Sequence, residues 1–285
     1  MNTQKKEAMN LLVTLDSNYV LPLTVMLSSI MRSNPGESFK VYVANSSLTD
    51  EDFARIRASV ELNRCRIIGI GIDGSLLKDA PVLDRISTET YYRLIAMDYL
   101  PAEVDRVLYI DPDTIVINSL REIYDTEMGD NVLLGSSHVT PMFNRINLRR
   151  LKMSKGTSYL NAGVLLMNIA AMRRAVTCAE IFAYINENAK KLYLADQDVI
   201  NALFCDKTLY ISPCIFNLDE KTLFQHRKEL TLEDIRRDSV IVHYNGKYKP
   251  WKEGYKGKLK GLWDEENEYL NSTAATATLV RARAV

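Results

Sequence analysis

Four short apolar runs alternate with helix-like stretches in the first 116 residues, and this alternation restricts the fold more than any other feature. The runs are residues 10–15 (NLLVTL), 39–44 (FKVYVA), 66–72 (RIIGIGI) and 106–110 (RVLYI). Between them, residues 20–31 read as a helix that tolerates Pro22 in its first turn. Thr49 and Asp52 form a capping-box pattern for a helix running to about residue 60. Residues 88–99 read as a third helix, ended by Leu100-Pro101. A β-α-β-α-β-α-β order with nearly all-apolar strands predicts a mostly parallel sheet covered by helices on both faces. Such sheets bind ligands beyond the carboxyl ends of their strands, so the loops opened by Asp16 and Asp111 are the first places to look.

Several function classes fall early. Gly69 and Gly71 lie inside a strand pattern and open no helix, so they make no dinucleotide fingerprint, and no Walker loop is present. The 36 basic and 36 acidic residues cancel, so no overall charge draws the chain to nucleic acid or membrane. Cys65, Cys178, Cys205 and Cys214 form no CxxC pair and read as reduced thiols in a cytoplasmic setting. The apolar stretch 9–15 stops at Asp16 and suits a buried strand better than a signal segment. No apolar run approaches the roughly 20 residues of a membrane span.

The second half is more mixed. Residues 132–136, 163–167, 209–211 and 240–242 read as strands, and 170–191 and 196–204 as helices. Residues 138–158, rich in Asn, Arg and Lys, read as a lid or acceptor loop. Residues 272–285 are low in complexity and are expected outside the packed body.

The strongest chemical signal is VLYIDPDTIV, residues 107–116. An apolar strand delivers Asp111 and Asp113 to its end, with Pro112 stiffening the link. Two carboxylates so close repel unless a cation lies between them, and hard oxygen ligands suit Mg²⁺ or Mn²⁺. The alternative is a capped turn with solvated acids. Two chemistries use such a pair: an aspartyl-phosphate phosphatase built on Asp111, or a cation held on the diphosphate of a nucleotide sugar. A phosphatase nucleophile strand opens its fold, whereas about 110 residues precede this one, which favours the second.

Three further segments add residues of the right kind. In VIVHYNGKYKPW (240–251), His243 is a candidate third ligand that tilts the choice towards Mn²⁺, Gly246 permits close backbone approach, and Lys249 can neutralise a phosphate. In YLNAGVLLMN (159–168), Asn161 precedes an apolar strand. In ADQDVIN (195–201), Asp196, Gln197 and Asp198 open a helix; an N-cap role for Asp196 competes with a sugar-binding one.

Taken in order, VTLDSNY, TETYYRL, LYIDPD, NAGVLLMN, DQDVIN and HYNGKYKPW resemble family 8 glycosyltransferases of the bacterial lipopolysaccharide galactosyl- and glucosyltransferase kind. The resemblance covers residues 10–263. It implies a GT-A fold: a Rossmann-like, mostly parallel central sheet merged with a smaller acceptor-binding region. Residues 1–263 would form the catalytic domain and 264–285 a peripheral tail. It further implies Thr14, Asp16, Asn18 and Tyr19 on the uracil and ribose, and Arg93 on the donor sugar and diphosphate. Asp111, Asp113 and His243 would hold Mn²⁺, with Mg²⁺ as second choice, and Gly246 and Lys249 would meet the diphosphate. Asn161, Asp196 and Gln197 would surround the transferred sugar. The implied reaction moves glucose or galactose from a UDP-hexose, with retention, to a saccharide or glycolipid acceptor. A non-catalytic nucleotide-sugar binding protein is the remaining rival. Lys247, Lys249, Lys252, Lys256, Lys258 and Lys260, interleaved with Trp251, Tyr255 and Trp263, are compatible with peripheral contact at the inner face of a membrane.

Overall fold

The computed structural model describes residues 7–72 and 91–283. The first three residues of TETYYRL, and the start of the helix expected over 88–99, lie outside the described residues. The four expected strands form at β1 (Met9–Thr14), β2 (Phe39–Asn45), β3 (Cys65–Gly71) and β4 (Arg106–Ile110). With β6 (Leu133–Gly135), β7 (Val164–Asn168) and β8 (Thr208–Tyr210) they make one sheet, ordered β3-β2-β1-β4-β7-β6-β8. Only β7 runs against its neighbours; the other pairs are parallel. Both faces are buried at the central strands β1, β4 and β7, which is why these read as continuous apolar runs, while the edge strands β3 and β8 are partly exposed. Leu11, Val13, Leu108 and Ile110 enter one apolar layer, while Leu12, Val107 and Tyr109 enter the opposite one.

The strand order places the crevice. The chain moves outward from β1 to β2 and β3, then returns to lay β4 on the other side of β1, with Leu12 opposite Tyr109. The reversal therefore falls between β1 and β4, and the carboxyl ends beside it carry Thr14 and Asp111. A two-stranded ribbon that the sequence patterns did not predict completes the frame: β5 (Thr114–Val116) pairs antiparallel with β9 (Ile241–His243), Thr114 opposite His243. Ile115, Val242, Leu218, Tyr244 and Trp263 seal it from behind.

Two expectations need correction. The helix expected over 170–191 is two helices, Ile169–Ala175 and Cys178–Asn188. Extended Val176 breaks it, and a Thr177–Glu180 capping box starts the second piece. The segment 138–158, expected as a loop, carries the helix Pro141–Arg150. The last helix, Lys260–Arg283, crosses residue 263, and its Glu266 is buried and pairs with Arg32.

Candidate active site

Asp111 follows β4 directly, and its backbone N–H donates to Gly163 O at 2.8 Å, tying the loop to the start of β7. Asp113 sits at the head of β5, opposite the end of β9. The ribbon thus delivers His243 to the acids: Nε2 lies 3.2 Å from Asp113 Oδ1 and 3.7 Å from Asp111 Oδ2. One ligand atom from each of the three lies within 4.8 Å of the others. Gly163 keeps this space clear, since a Cβ there would stand 2.1 Å from His243 Cε1 and 2.8 Å from Asp111 Oδ2.

A chain of amides fixes the imidazole. The Gly163 N–H donates to Asn161 Oδ1 at 3.0 Å, which identifies that oxygen as an acceptor. Asn217 Nδ2 donates to the same oxygen at 2.9 Å, so Asn217 Oδ1 faces His243 Nδ1, also at 2.9 Å. Nδ1 must then carry a proton, and Nε2 is the atom offered to the acids. Asn161 Nδ2 continues the chain to Gln197 Oε1 at 3.3 Å, which also accepts from Ala162 N at 3.1 Å. Two oxygens, one from each carboxylate, and one imidazole nitrogen fit a divalent cation of the Mn²⁺ or Mg²⁺ kind.

Charges around the acids are unevenly shared. Lys249 Nζ donates to Asp113 Oδ2 at 2.6 Å and to Tyr244 O at 2.8 Å. Burial would raise the Asp113 pKa, but His243 and Lys249 outweigh it and hold the carboxyl well below its usual range. Burial lowers the His243 pKa, yet Asp113 reverses this and holds it above its ordinary value. Across the cleft, Arg93 Nη1 lies 3.1 Å from Asp111 Oδ1 and donates to Ala162 O at 3.0 Å, with the guanidinium 4.4 Å above the Tyr109 ring. Arg93 Nε is 3.0 Å from Asp196 Oδ2, a charge contact without hydrogen-bond alignment. Burial pushes the Asp196 carboxyl up to about 6; Arg93 opposes this and Asp111 adds to it. Ala195, immediately before it, has φ 44°, a left-handed conformation uncommon for a residue with a Cβ.

The remaining sequence-predicted residues stand at the carboxyl end of β1 and on the loops that follow β1 and β9. Thr14 Oγ1 is 3.1 Å from Tyr109 Oη, whose hydroxyl donates to Asp111. Asp16 accepts from Asn18 N at 2.8 Å and caps the short turn Ser17–Tyr19. Burial and the nearby Asp113 and Asp111 push the Tyr19 hydroxyl up to about 12. The Tyr19 ring meets Trp251 edge-on at 6.0 Å, joining the β1 loop to the loop after β9. Gly246 is exposed, and a Cβ there would approach nothing closer than Tyr248 O at 4.0 Å, so the protein itself does not require glycine. Asp198 lies apart from this set: it is buried against Arg150 and Tyr159 and holds the frame. Sequence reasoning missed Asn217, a lone asparagine in CIFNLD, and the steric need for Gly163. Neither leaves a pattern signal, because the partners that make each matter are distant in the chain.

The model of the family described as "Glycosyl transferase family 8" matches residues 10–254. The chain belongs to that family. It is therefore an enzyme, a hexosyltransferase, and the phosphatase reading of Asp111 falls. Lipopolysaccharide 1,2-glucosyltransferase of Escherichia coli is 26% identical over 254 residues, covering 87% of this chain and 74% of its own. Lipopolysaccharide 1,3-galactosyltransferase of Salmonella typhimurium is 25% identical over 246 residues, covering 85% and 72%. The crystal structure of galactosyltransferase LgtC, in complex with donor and acceptor sugar analogs, superposes with a TM-score of 0.77 at 25% identity. That match covers 92% of this chain and 96% of LgtC. The fold is GT-A. No helix among the described residues is long and apolar enough to cross a membrane.

Proposed function

We propose that this family 8 enzyme transfers glucose or galactose from a UDP-sugar, with retention at the anomeric carbon, to a hydroxyl of a saccharide or glycolipid. The acceptor reading follows its lipopolysaccharide-modifying relatives and places the enzyme in the cytoplasm, at the inner face of the membrane. The observation that carries the proposal is the convergence of Asp111, Asp113 and His243 at the sheet's reversal point. In this reading Thr14, Asp16, Asn18 and Tyr19 flank the uridine, and Gly246 and Lys249 meet the diphosphate. Asp111, Asp113 and His243 hold Mn²⁺, with Mg²⁺ as an alternative. When bound, the ion neutralises charge on the departing diphosphate.

The chain's own groups do the rest. Lys249 Nζ, hydrogen-bonded to Asp113 and to the Tyr244 carbonyl, is the chain's own cation that would meet the diphosphate. A unit charge pair at about 4 Å, with an effective dielectric near 20, is worth about 4 kcal/mol before desolvation. That corresponds to about three powers of ten in rate if it acts in the transition state. Arg93 holds Asp196 and Asp111 in register beside the sugar. Gln197 Oε1 already accepts two hydrogen bonds, which makes it a poor nucleophile. The reading is therefore front-face attack, with a leaving-phosphate oxygen taking the acceptor's proton.

Donor hydrolysis across a panel of UDP-sugars, with Mn²⁺ and then with EDTA, tests the reading. Turnover is expected with one UDP-hexose and is expected to vanish in EDTA. Asp113→Ala should abolish both ion binding and turnover. Undiminished wild-type turnover in EDTA would contradict the metal assignment, and indifference to the nucleotide would contradict UDP.

A further inference from the structure

The helix Pro141–Arg150 is built inside out. Met142, Phe143 and Ile146 are 70%, 58% and 47% exposed, and no residue of the helix is fully buried. Its protein-facing side is largely polar. Asn144 donates to Thr157 O at 3.0 Å and accepts from Tyr159 N at 2.7 Å, while Asn147 accepts from Arg150 at 2.9 Å. Leu148 is the one apolar residue of the helix packed on the core. A helix partnered only by its own domain does the reverse, turning its apolar stripe inward.

The apolar face continues onto a second segment. Arg150 stacks 4.7 Å over the Tyr193 ring, and Tyr193 and Leu194 are themselves 73% and 55% exposed. Charge identifies the occupant. Residues 141–157 contain Arg145, Arg149, Arg150, Lys152 and Lys155 and no acid. Asp198 engages Arg150, but Arg145, Arg149, Lys152 and Lys155 are exposed and pair with no acid among the described residues. In the Lys-rich run 247–260, Asp113 holds Lys249 and Asp264 holds Lys260, while Lys247, Lys252, Lys256 and Lys258 are exposed and pair with no acid among the described residues; that run also contains Glu253, whereas 141–157 contains no acid. Exposed apolar side chains flanked by unpaired cations match the interface of an anionic bilayer.

We propose that the outward face of this helix, with Tyr193 and Leu194, seats the enzyme on an anionic lipid surface. Both segments lie next to the cleft: Asn144 bonds Tyr159, two residues before Asn161, and Leu194 lies two before Asp196. A surface seated there brings membrane-borne hydroxyls to the sugar side of the site. The proposal goes beyond the donor assignment, and its test contains neither nucleotide nor metal, so each can fail without the other.

The test is co-sedimentation of the whole protein with phosphatidylcholine vesicles, with or without phosphatidylglycerol. Wild type is expected on the mixed vesicles, released by salt, and absent from the neutral ones. Arg145→Gln with Arg149→Gln should weaken partition about 30-fold. Phe143→Ser with Ile146→Ser should weaken it at least tenfold, with the Tm of both variants unchanged. Equal binding of wild type and either variant, equal binding to neutral vesicles, or no binding at all would overturn the proposal. A wild-type dimer that Phe143→Ser with Ile146→Ser dissolves would assign the face to a second copy of the chain instead.

Discussion

The two walls of the cleft hold their acids in opposite proportion. On one wall a single guanidinium, Arg93, serves two carboxylates, Asp111 and Asp196. On the other, two cationic groups, His243 and Lys249, serve the one carboxylate of Asp113. On the first wall burial raises the Asp196 pKa, Asp111 adds to it, and the one shared guanidinium does not fully offset them. The second has a surplus of positive charge, and the Asp113 carboxyl is held ionised. The difference teaches which wall is tuned and which is fixed. The Arg93 wall depends on a balance of charges that a proton can shift. The His243 wall depends on a relay of amides anchored to a backbone N–H, which does not titrate; of that chain only the imidazole at its end takes up a proton, and Asp113 holds its pKa above the ordinary value.

The largest expected break is on the fixed wall. Gly163→Ala places a methyl 2.1 Å from the imidazole, so His243 or β7 must move. Turnover should fall by about 100-fold or more. Loss of Mn²⁺ affinity by calorimetry should accompany it; an unchanged affinity would show that the cage is looser than drawn. Next is Asn217→Ala, which removes the acceptor for the His243 Nδ1 proton and should cost about 10- to 100-fold in metal affinity. At a pH high enough for a neutral imidazole, the nitrogen-15 shifts of His243 in the metal-free protein should also move from a single Nδ1–H tautomer to a mixture. Shifts identical to wild type would remove Asn217 from the relay.

The tuned wall gives a smaller, pH-dependent effect. Asp196 has a folded value of about 6 against an ordinary 3.8, so the fold disfavours its ionised form. That burden is absent below the ordinary value, grows as pH rises through the interval, and is full above about pH 6. Asp196→Asn cannot ionise. Its Tm minus that of wild type should therefore rise between about pH 4 and 7; a flat difference would mean that the Asp196 carboxyl is not raised in the folded protein. The smallest effect belongs outside both walls. Lys260→Ala loses only a half-exposed pair with Asp264, and stability should change by less than about 0.5 kcal/mol in urea unfolding.

These contrasts also explain what the chain reveals before folding is known. The Arg93 wall rests on strands buried on both faces, so β1 and β4 were readable from apolar runs and led directly to the loops opened by Asp16 and Asp111. His243 and Lys249 were readable as residue types beside a short strand. The meeting of His243 with Asp111 and Asp113 was expected from its place as a third ligand, but the ribbon that effects it and the hold of Asp113 on Lys249 were not, because β5 is a three-residue strand with no periodicity to detect. Asn217 was silent for a related reason: its importance lies in two contacts, each more than 20 residues away in the chain. The helix at 141–150 escaped because its apolar residues face outward and its inner face is amide, so the usual pattern is inverted.

The pairing of Thr114 with His243 carries one more consequence. Both carboxylates emerge early in synthesis, but the imidazole and the lysine follow about 130 residues later. A ribosome-bound chain that has already assembled its parallel strands still lacks half the cage. Competence to grip an ion therefore arrives with the closing third of the polypeptide, and unfinished copies are inert by construction.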